Sequence, residues 1–431
     1  MSSIAKKSFE TFTVRVATQL LAAGGGIVVA RTLLPAGKGE FAYAGTILGF
    51  ALMMAVGHTR AVLWQYGKRD IPAGSVMRVM VFVVAAISVP LALVMAAIGA
   101  LVPSQHSLLF VAAALPFAMF AQSAGGLFLA DGDVRTLNIK ELLPNVLAPL
   151  VYVPIILLFY RSLWVVLAAW TGSYIVAAVY IAFALKRYDR SVRPGNVREL
   201  AKEQLTFGSH AGLSSVLQYV DFRIDVFLVM FMLGSAALGI YSVGIAIGEF
   251  IWQLSSAMIN PSLRDIGGKD FARAAAVTAK CMRHSLVLVF TAAVCVGLLA
   301  RELVPLVYGP AFSYAAVLTI ALLPGIVAYS MMPALSAFFS QQLGRPRVPA
   351  YFSALSAAVC ALITALTLPR FGLIAAALAT SASYSAAFAA ATIYFTRVSG
   401  LSIGRIFAYS AEDLRPYHSL LTGALGVIRG R

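Results

Sequence analysis

Two apolar runs, residues 206–233 and 236–259, stand back to back with only Gly234-Ser235 between them. Each exceeds the roughly 20 residues an α-helix needs to cross a hydrocarbon core of about 30 Å, so together they dictate a hairpin of two membrane-crossing helices. Yet the first run carries Asp221, Arg223 and Asp225, and the second carries Glu249. A charge at that depth costs on the order of 2.5–3.5 kcal/mol on insertion scales, so it faces other helices or a watery cavity. The polar residues also fall into stripes at helical spacing. On the first helix they are His210, Ser214, Gln218, Asp221 and Asp225; on the second, Ser242, Glu249, Gln253, Ser256 and Asn260. Two striped helices joined by a tight turn read as part of the wall of a central polar cavity.

The remaining chain repeats the pattern. Apolar runs fall at 11–34, 41–63, 76–101, 107–130, 142–160 and 163–185, then, beyond the opening pair, at 282–300, 314–339, 350–368 and 373–395. The chain is 60% hydrophobic and 12% charged, which places it among polytopic helical membrane proteins. Continuous runs of this length exclude a transmembrane β-barrel, whose strands alternate over short segments. The expected fold is all-α, with about twelve transmembrane helices in two six-helix lobes around the cavity. Residues 1–185 form the first lobe, 186–205 a cytoplasmic basic linker, 206–395 the second lobe and 396–431 a cytoplasmic tail. Residues 35–40 are expected to be a loop and 131–141 a polar connector. Prolines 144, 149 and 154 predict that the fifth helix is kinked or starts late.

Charge sets the expected orientation. With the N-terminus inside, the inner segments carry 24 Lys/Arg and the outer ones four. That bias predicts cytoplasmic termini at both ends and an even number of spans. Much of the +16 net charge is then topology and contact with anionic lipid, not a nucleic-acid surface. An internal repeat supports the two lobes: Gly39-Glu40-Phe41-Ala42-Tyr43 aligns with Gly239-Ile240-Tyr241-Ser242-Val243, and Ser173-Tyr174 with Ser383-Tyr384. Cys281, Cys295 and Cys360 have no metal-ligand spacing, and no P-loop, zinc pattern or nucleophile elbow occurs. No enzyme, cofactor or metal is expected.

At this point the chain resembles the polysaccharide-transporter branch of the multidrug/oligosaccharidyl-lipid/polysaccharide (MOP) flippase superfamily. The resemblance rests on Arg223-Ile224-Asp225 followed by Leu233-Gly234 and Gly239-Ile240-Tyr241. It continues with Pro261 and Gly267-Gly268-Lys269-Asp270, Tyr308-Gly309 with Tyr314-Ala315, and Leu368-Pro369-Arg370-Phe371-Gly372 before 375–380. The segment 35–39 departs from it, lacking the usual Leu-Gly-Pro. The resemblance implies an inner-membrane flippase that moves a polyprenyl-pyrophosphate-linked oligosaccharide by alternating access. Its partners would be that lipid, membrane lipids, and the polymerase and glycosyltransferases of one pathway. The alternative with the same fold is a multidrug or small-molecule antiporter driven by H⁺ or Na⁺.

A pyrophosphate calls for arginine, and sugars for amides and hydroxyls. Candidate substrate-binding residues are therefore Arg15, Gln19, Arg60, Gln218, Arg223 and Gln253. Arg60 at a span end also has a snorkelling role open to it, and Arg31 is expected to be an anchor. Asp221, Asp225 and Glu249 are candidate ion-coupling residues. Two readings of them stay open: Arg223 neutralises an acid in a structural ion pair, or Asp221 and Glu249 crowd each other until one exchanges a proton or Na⁺.

Overall fold

The structure is a computed structural model that describes residues 3–188 and 197–409. Among them ten helices are long and apolar enough to cross a membrane. The α-helices, short ones included, follow the order α1 (Ser3–Gly67), α2 (Ala73–Leu101), α3 (Leu108–Ala130), α4 (Val134–Leu158), α5 (Leu163–Ala184) and α6 (Val197–Ile259). After a short turn α7 (Leu263–Ile266) come α8 (Phe271–Tyr308), α9 (Ser313–Tyr329), α10 (Met332–Ala337), α11 (Arg347–Phe371), α12 (Leu373–Ser399) and α13 (Ile403–Phe407). The apolar parts of α1 and α6 belong to stretches of 51 and 70 residues, more than twice the length a bilayer needs.

Both long helices are in fact broken once. Leu34 (φ 60°, ψ −177°) interrupts α1 and Gly234 (φ 84°, ψ −179°) interrupts α6. The two breaks have the same backbone shape and lie 200 residues apart, the spacing of the Gly39/Gly239 repeat. Each folds the helix back on itself. A Cβ on Gly26 would stand 3.3 Å from the Lys38 ammonium, and the Tyr241 hydroxyl bonds the Asp225 carboxylate at 2.6 Å; along a straight helix those pairs would be about 18 and 24 Å apart. Two limbs in α1 and two in α6 thus bring ten helices to twelve crossings.

Three sequence expectations are corrected in detail. Residues 35–40 are helical, not a loop: Pro35 opens the second limb, where its missing N–H costs nothing. The segment 131–141 is mostly helix, because Asp133 caps α4 by accepting from the Thr136 N–H at 3.1 Å. So α4 starts early rather than late, and it runs through Pro144, Pro149 and Pro154. Helix α6 begins at Val197, inside the segment 186–205.

The described residues divide into two compact units, Met1–Ser242 with Val304–Ser313, and Val243–Leu303 with Tyr314–Arg431. In the first, α1 packs on α2, α3 and α4, and α3 and α4 pack on α5. The end of α8 belongs here because Arg31 donates from Nε to the Val307 carbonyl at 2.7 Å and from Nη2 to the Leu306 carbonyl. A cation on the last carbonyls of a helix satisfies orphan acceptors and complements the dipole, so Arg31 ties α1 to the end of α8. In the second unit α11 pairs with α12. There the Ser381 hydroxyl accepts from the Gly325 N–H at 3.2 Å and donates to the Ala321 carbonyl at 2.6 Å. It is inserted into the ladder of α9 beside Pro324, the kind of insertion that accompanies a kink. The second sequence repeat is also matched locally: Ser173 and Ser383 are buried, and each donates to the carbonyl three residues back.

Candidate functional site: the seam between α1 and α6

The second limb of α1 (35–67) runs antiparallel to the first limb of α6 (197–233), and small residues make that possible. At the kinked end a Cβ on Gly39 would lie 1.8 Å from the Ser235 carbonyl oxygen, and one on Gly239 would lie 1.9 Å from that of Pro35. The contact is reciprocal, as a pseudo-twofold relation between repeats requires. Towards the other end a Cβ on Gly57 would meet the Gly208 oxygen at 2.0 Å and the Gly212 nitrogen at 2.5 Å. Small-xxx-small spacing lets helix backbones approach closely in lipid.

Between and beyond these contacts the seam is polar and aromatic. The Tyr219 hydroxyl donates to the Thr46 carbonyl at 3.0 Å, and the Arg223 guanidinium sits 5.9 Å from the Tyr219 ring centre. Arg60 donates to the Ala211 carbonyl at 3.0 Å. Trp64 stacks on Phe207, centroids 5.3 Å apart. Gln65 donates to the Leu200 carbonyl at 3.1 Å, and Arg69 pairs with Glu203 at 2.5 Å.

The candidate residues fare differently. Asp225 and Asp221 are buried, at 3% and 2% exposure, while Arg223 is half-buried; the shared face of the two acids and the divergence of the arginine are as i, i+4 and i+2 spacings demand. Asp225 has structural partners: one oxygen accepts from Tyr241, the other from the Val226 N–H at 2.8 Å. The Arg-x-Asp and Gly-x-Tyr elements are therefore two halves of one clasp across the Gly234 break. Arg60 and Gln218 are exposed and Gln19 is half-buried; the Arg15 side chain lies outside the described residues. Glu249 and Gln253 lie in the other unit, half-buried and exposed respectively. Beside them Trp252 meets Tyr329 edge-on at 5.6 Å, and Tyr329 meets Tyr384 at 4.4 Å. This aromatic group escaped sequence reasoning, because its members come from three distant helices.

Lys140 was missed too. It is 7% exposed, donates to the Gln122 side-chain oxygen at 2.7 Å and pairs with Glu141 at 2.8 Å. The Thr59 hydroxyl donates to the Gln122 carbonyl at 2.8 Å, tying the group to α1. No cluster of metal-ligating side chains occurs among the described residues. A cleft of about 670 Å³ lies between α1, α2 and α6; it is lined by side chains such as Phe50, Met54, Leu91, Met95 and Phe227.

Comparison with known proteins agrees with this architecture. No curated protein sequence matches the chain. Among solved structures it is similar to lipid II flippase MurJ in an inward closed conformation (TM-score 0.74, 11% identity, 97% of this chain and 96% of that one). It is also similar to a multidrug resistance MATE family transporter of the MOP superfamily, inward-facing (0.71, 17%, 90% and 98%). A third is a MOP superfamily transporter from Pyrococcus furiosus (0.58, 16%, 90% and 93%). These likenesses establish the all-helical, two-lobe fold of the MOP superfamily. A family model described as polysaccharide biosynthesis protein matches residues 28–317. With that match covering both kinks and the seam between α1 and α6, the chain belongs to the polysaccharide biosynthesis protein family, as a multi-pass membrane protein of the MOP transporter fold.

Proposed function

We propose that this protein is an inner-membrane flippase that moves a polyprenyl-pyrophosphate-linked oligosaccharide by alternating access, for O-antigen, exopolysaccharide or capsule assembly. The family match over residues 28–317 carries the reading. The geometry supports it: near Tyr219 the seam presents the arginines Arg223 and Arg60, while Asp221 and Asp225 are buried; its other accessible acid, Glu203, is paired with Arg69. That arrangement suits an anionic cargo better than a cationic one. Gln218 and Gln253 would meet sugar hydroxyls, with Trp252 offering an aromatic face. Arg15 and Gln19 would receive the pyrophosphate at the cytoplasmic leaflet.

In this reading residues 1–185 and 206–395 are the two lobes, 186–205 the linker and 396–431 the tail, with both termini cytoplasmic as the 24-to-4 Lys/Arg bias supports. The kinks at Leu34 and Gly234 then face the periplasm. A polymerase and glycosyltransferases of the same pathway would be its neighbours. A proton- or sodium-coupled multidrug antiporter is the second reading, favoured by the fold shared with the MATE transporter and by half-buried Glu249.

The test is to delete the gene and identify the lipid-linked species that accumulates. Polyprenyl-linked glycan on the cytoplasmic side, cleared by the wild-type gene and not by Arg223→Ala or Arg15→Ala at equal expression, is the expected result. No accumulation, with loss of dye or drug efflux that Glu249→Gln reproduces, would replace the flippase by the antiporter.

A further inference from the structure

We infer that the cleft between the second limb of α1, α2 and the first limb of α6 holds the prenyl chain of the cargo while its phosphate passes Arg223. This rests on the flippase reading and assigns the part of the cargo that a polar chamber cannot accommodate. A carrier lipid whose head crosses the bilayer midplane must keep its hydrocarbon out of water throughout.

Four observations converge on this cleft. Its side chains are wholly apolar: Ile47, Phe50 and Met54 from α1, Leu91 and Met95 from α2, and Phe227 from α6. Any occupant with a hydroxyl or charge at that depth would be left without partners, so the occupant is hydrocarbon. Its volume, about 670 Å³, is within the range of ligand sites and takes a segment of a long prenyl chain, the rest lying in the bilayer. Methionine and leucine walls adapt to a branched chain.

The cleft is also closed in one direction. Tyr219 bonds the carbonyl of Thr46, immediately before cleft-lining Ile47. Farther along, the seam shuts where Gly57 meets Gly208 and Gly212, and Arg60 bonds Ala211. A chain therefore enters from the side, from the bilayer, and not along the seam from the end at residues 64–69.

A cation stands one helical turn from the lining. Arg223 precedes Phe227 by four residues, one turn along the same helix face, and its guanidinium lies against Tyr219. It is half-buried. One apolar cleft beside one arginine matches one chain that ends in a phosphate. A glycerophospholipid brings two chains joined through a glycerol and fits that pairing poorly.

The experiment uses the full-length protein in phosphatidylcholine nanodiscs, with undecaprenyl phosphate as probe and native mass spectrometry as readout. Leu91→Trp fills the cleft; Leu93→Trp, at a position 65% exposed and outside the lining, is the control. Wild type and Leu93→Trp should bind alike, and Leu91→Trp at least about tenfold more weakly. Dioleoylphosphatidylglycerol should not compete. If Leu91→Trp does not fold, Met54→Trp fills the same space from the facing wall. Unchanged binding by a folded filling variant, or equal competition by phosphatidylglycerol, overturns the assignment and leaves the flippase reading standing. Wild-type protein that binds no undecaprenyl phosphate overturns the assignment, and if it also exchanges small cations for protons the flippase reading falls with it.

Discussion

Alanine at Gly39 or Gly239 tests the seam at its tightest point. An added Cβ at Gly39 would sit 1.8 Å from the Ser235 oxygen and 2.8 Å from the Gly239 nitrogen, and one at Gly239 would sit 1.9 Å from the Pro35 oxygen. Real Cβ atoms do not approach within 3.0 Å, and every obstacle here is backbone, so two helices must part by more than an ångström. Overpacking costs about 1–3 kcal/mol even where side chains can yield; with backbone on both sides about 3 kcal/mol is the working figure. Alanine's helix preference over glycine returns about 1 kcal/mol, for a net loss of about 2 kcal/mol. Gly45, six residues along the same limb, has nothing within 4 Å of an added Cβ, so Gly45→Ala should be neutral or stabilising by up to about 1 kcal/mol. The reciprocity makes a sharper demand. Once the helices have parted for one methyl, the second finds room, so the Gly39→Ala/Gly239→Ala double variant should lose about 1–2 kcal/mol less than the sum of the singles. Equilibrium unfolding of purified protein in detergent, read by tryptophan fluorescence, measures all four variants. Gly39→Ala as stable as Gly45→Ala, or strictly additive losses, would refute the reciprocal contact.

Further expectations are local. Ser381→Ala removes the hydroxyl that bridges the Gly325 N–H and the Ala321 carbonyl; about 1 kcal/mol of stability should be lost, with faster amide exchange confined to α9. Lys140→Met strands the Gln122 oxygen and should cost about 1–2 kcal/mol, whereas Lys140→Met with Gln122→Leu should recover much of that loss in the same unfolding assay. Leu34 holds a conformation that only glycine adopts without strain, so Leu34→Gly should raise stability by about 1 kcal/mol. Burial alone would raise the Asp133 carboxyl, but Thr136, through its hydroxyl and N–H, and the Arg187 guanidinium at 2.6 Å outweigh it and hold the carboxyl below its ordinary value. A depressed carboxylate stabilises the fold above its unfolded pKa, and that contribution is lost as pH falls through the folded value. Arg187→Gln should therefore flatten the acid limb of the stability profile below about pH 4 without changing the profile at pH 7–8 in shape.

What could be read along the chain is what local chemistry controls. Apolar runs set the number of crossings, because length against bilayer thickness is a one-dimensional comparison. Gly234 announced its break, since glycine is the residue that takes a positive φ freely. Leu34 did not: the Pro35-Ala36-Gly37-Lys38-Gly39 sequence carries the same turn signals as a loop, and only packing decides that one strained residue does the turning. The same limit applies to α4, where three prolines argued for delay and the Asp133 cap with its neighbours prevailed. For the site, the spacing of Asp221, Arg223 and Asp225 was enough to separate a shared acidic face from a divergent arginine. It could not reveal that Tyr241 takes Asp225 as its partner, that Gly39 and Gly239 meet backbone to backbone, or that Lys140 is buried on Gln122. Those contacts join residues 16 to 200 positions apart in the chain, and they exist because helices of small and large residues find one crossing at which backbones touch and buried polar groups are met. Sequence determined which segments enter the membrane and which of their faces are polar; tertiary structure alone decided which of those faces meet.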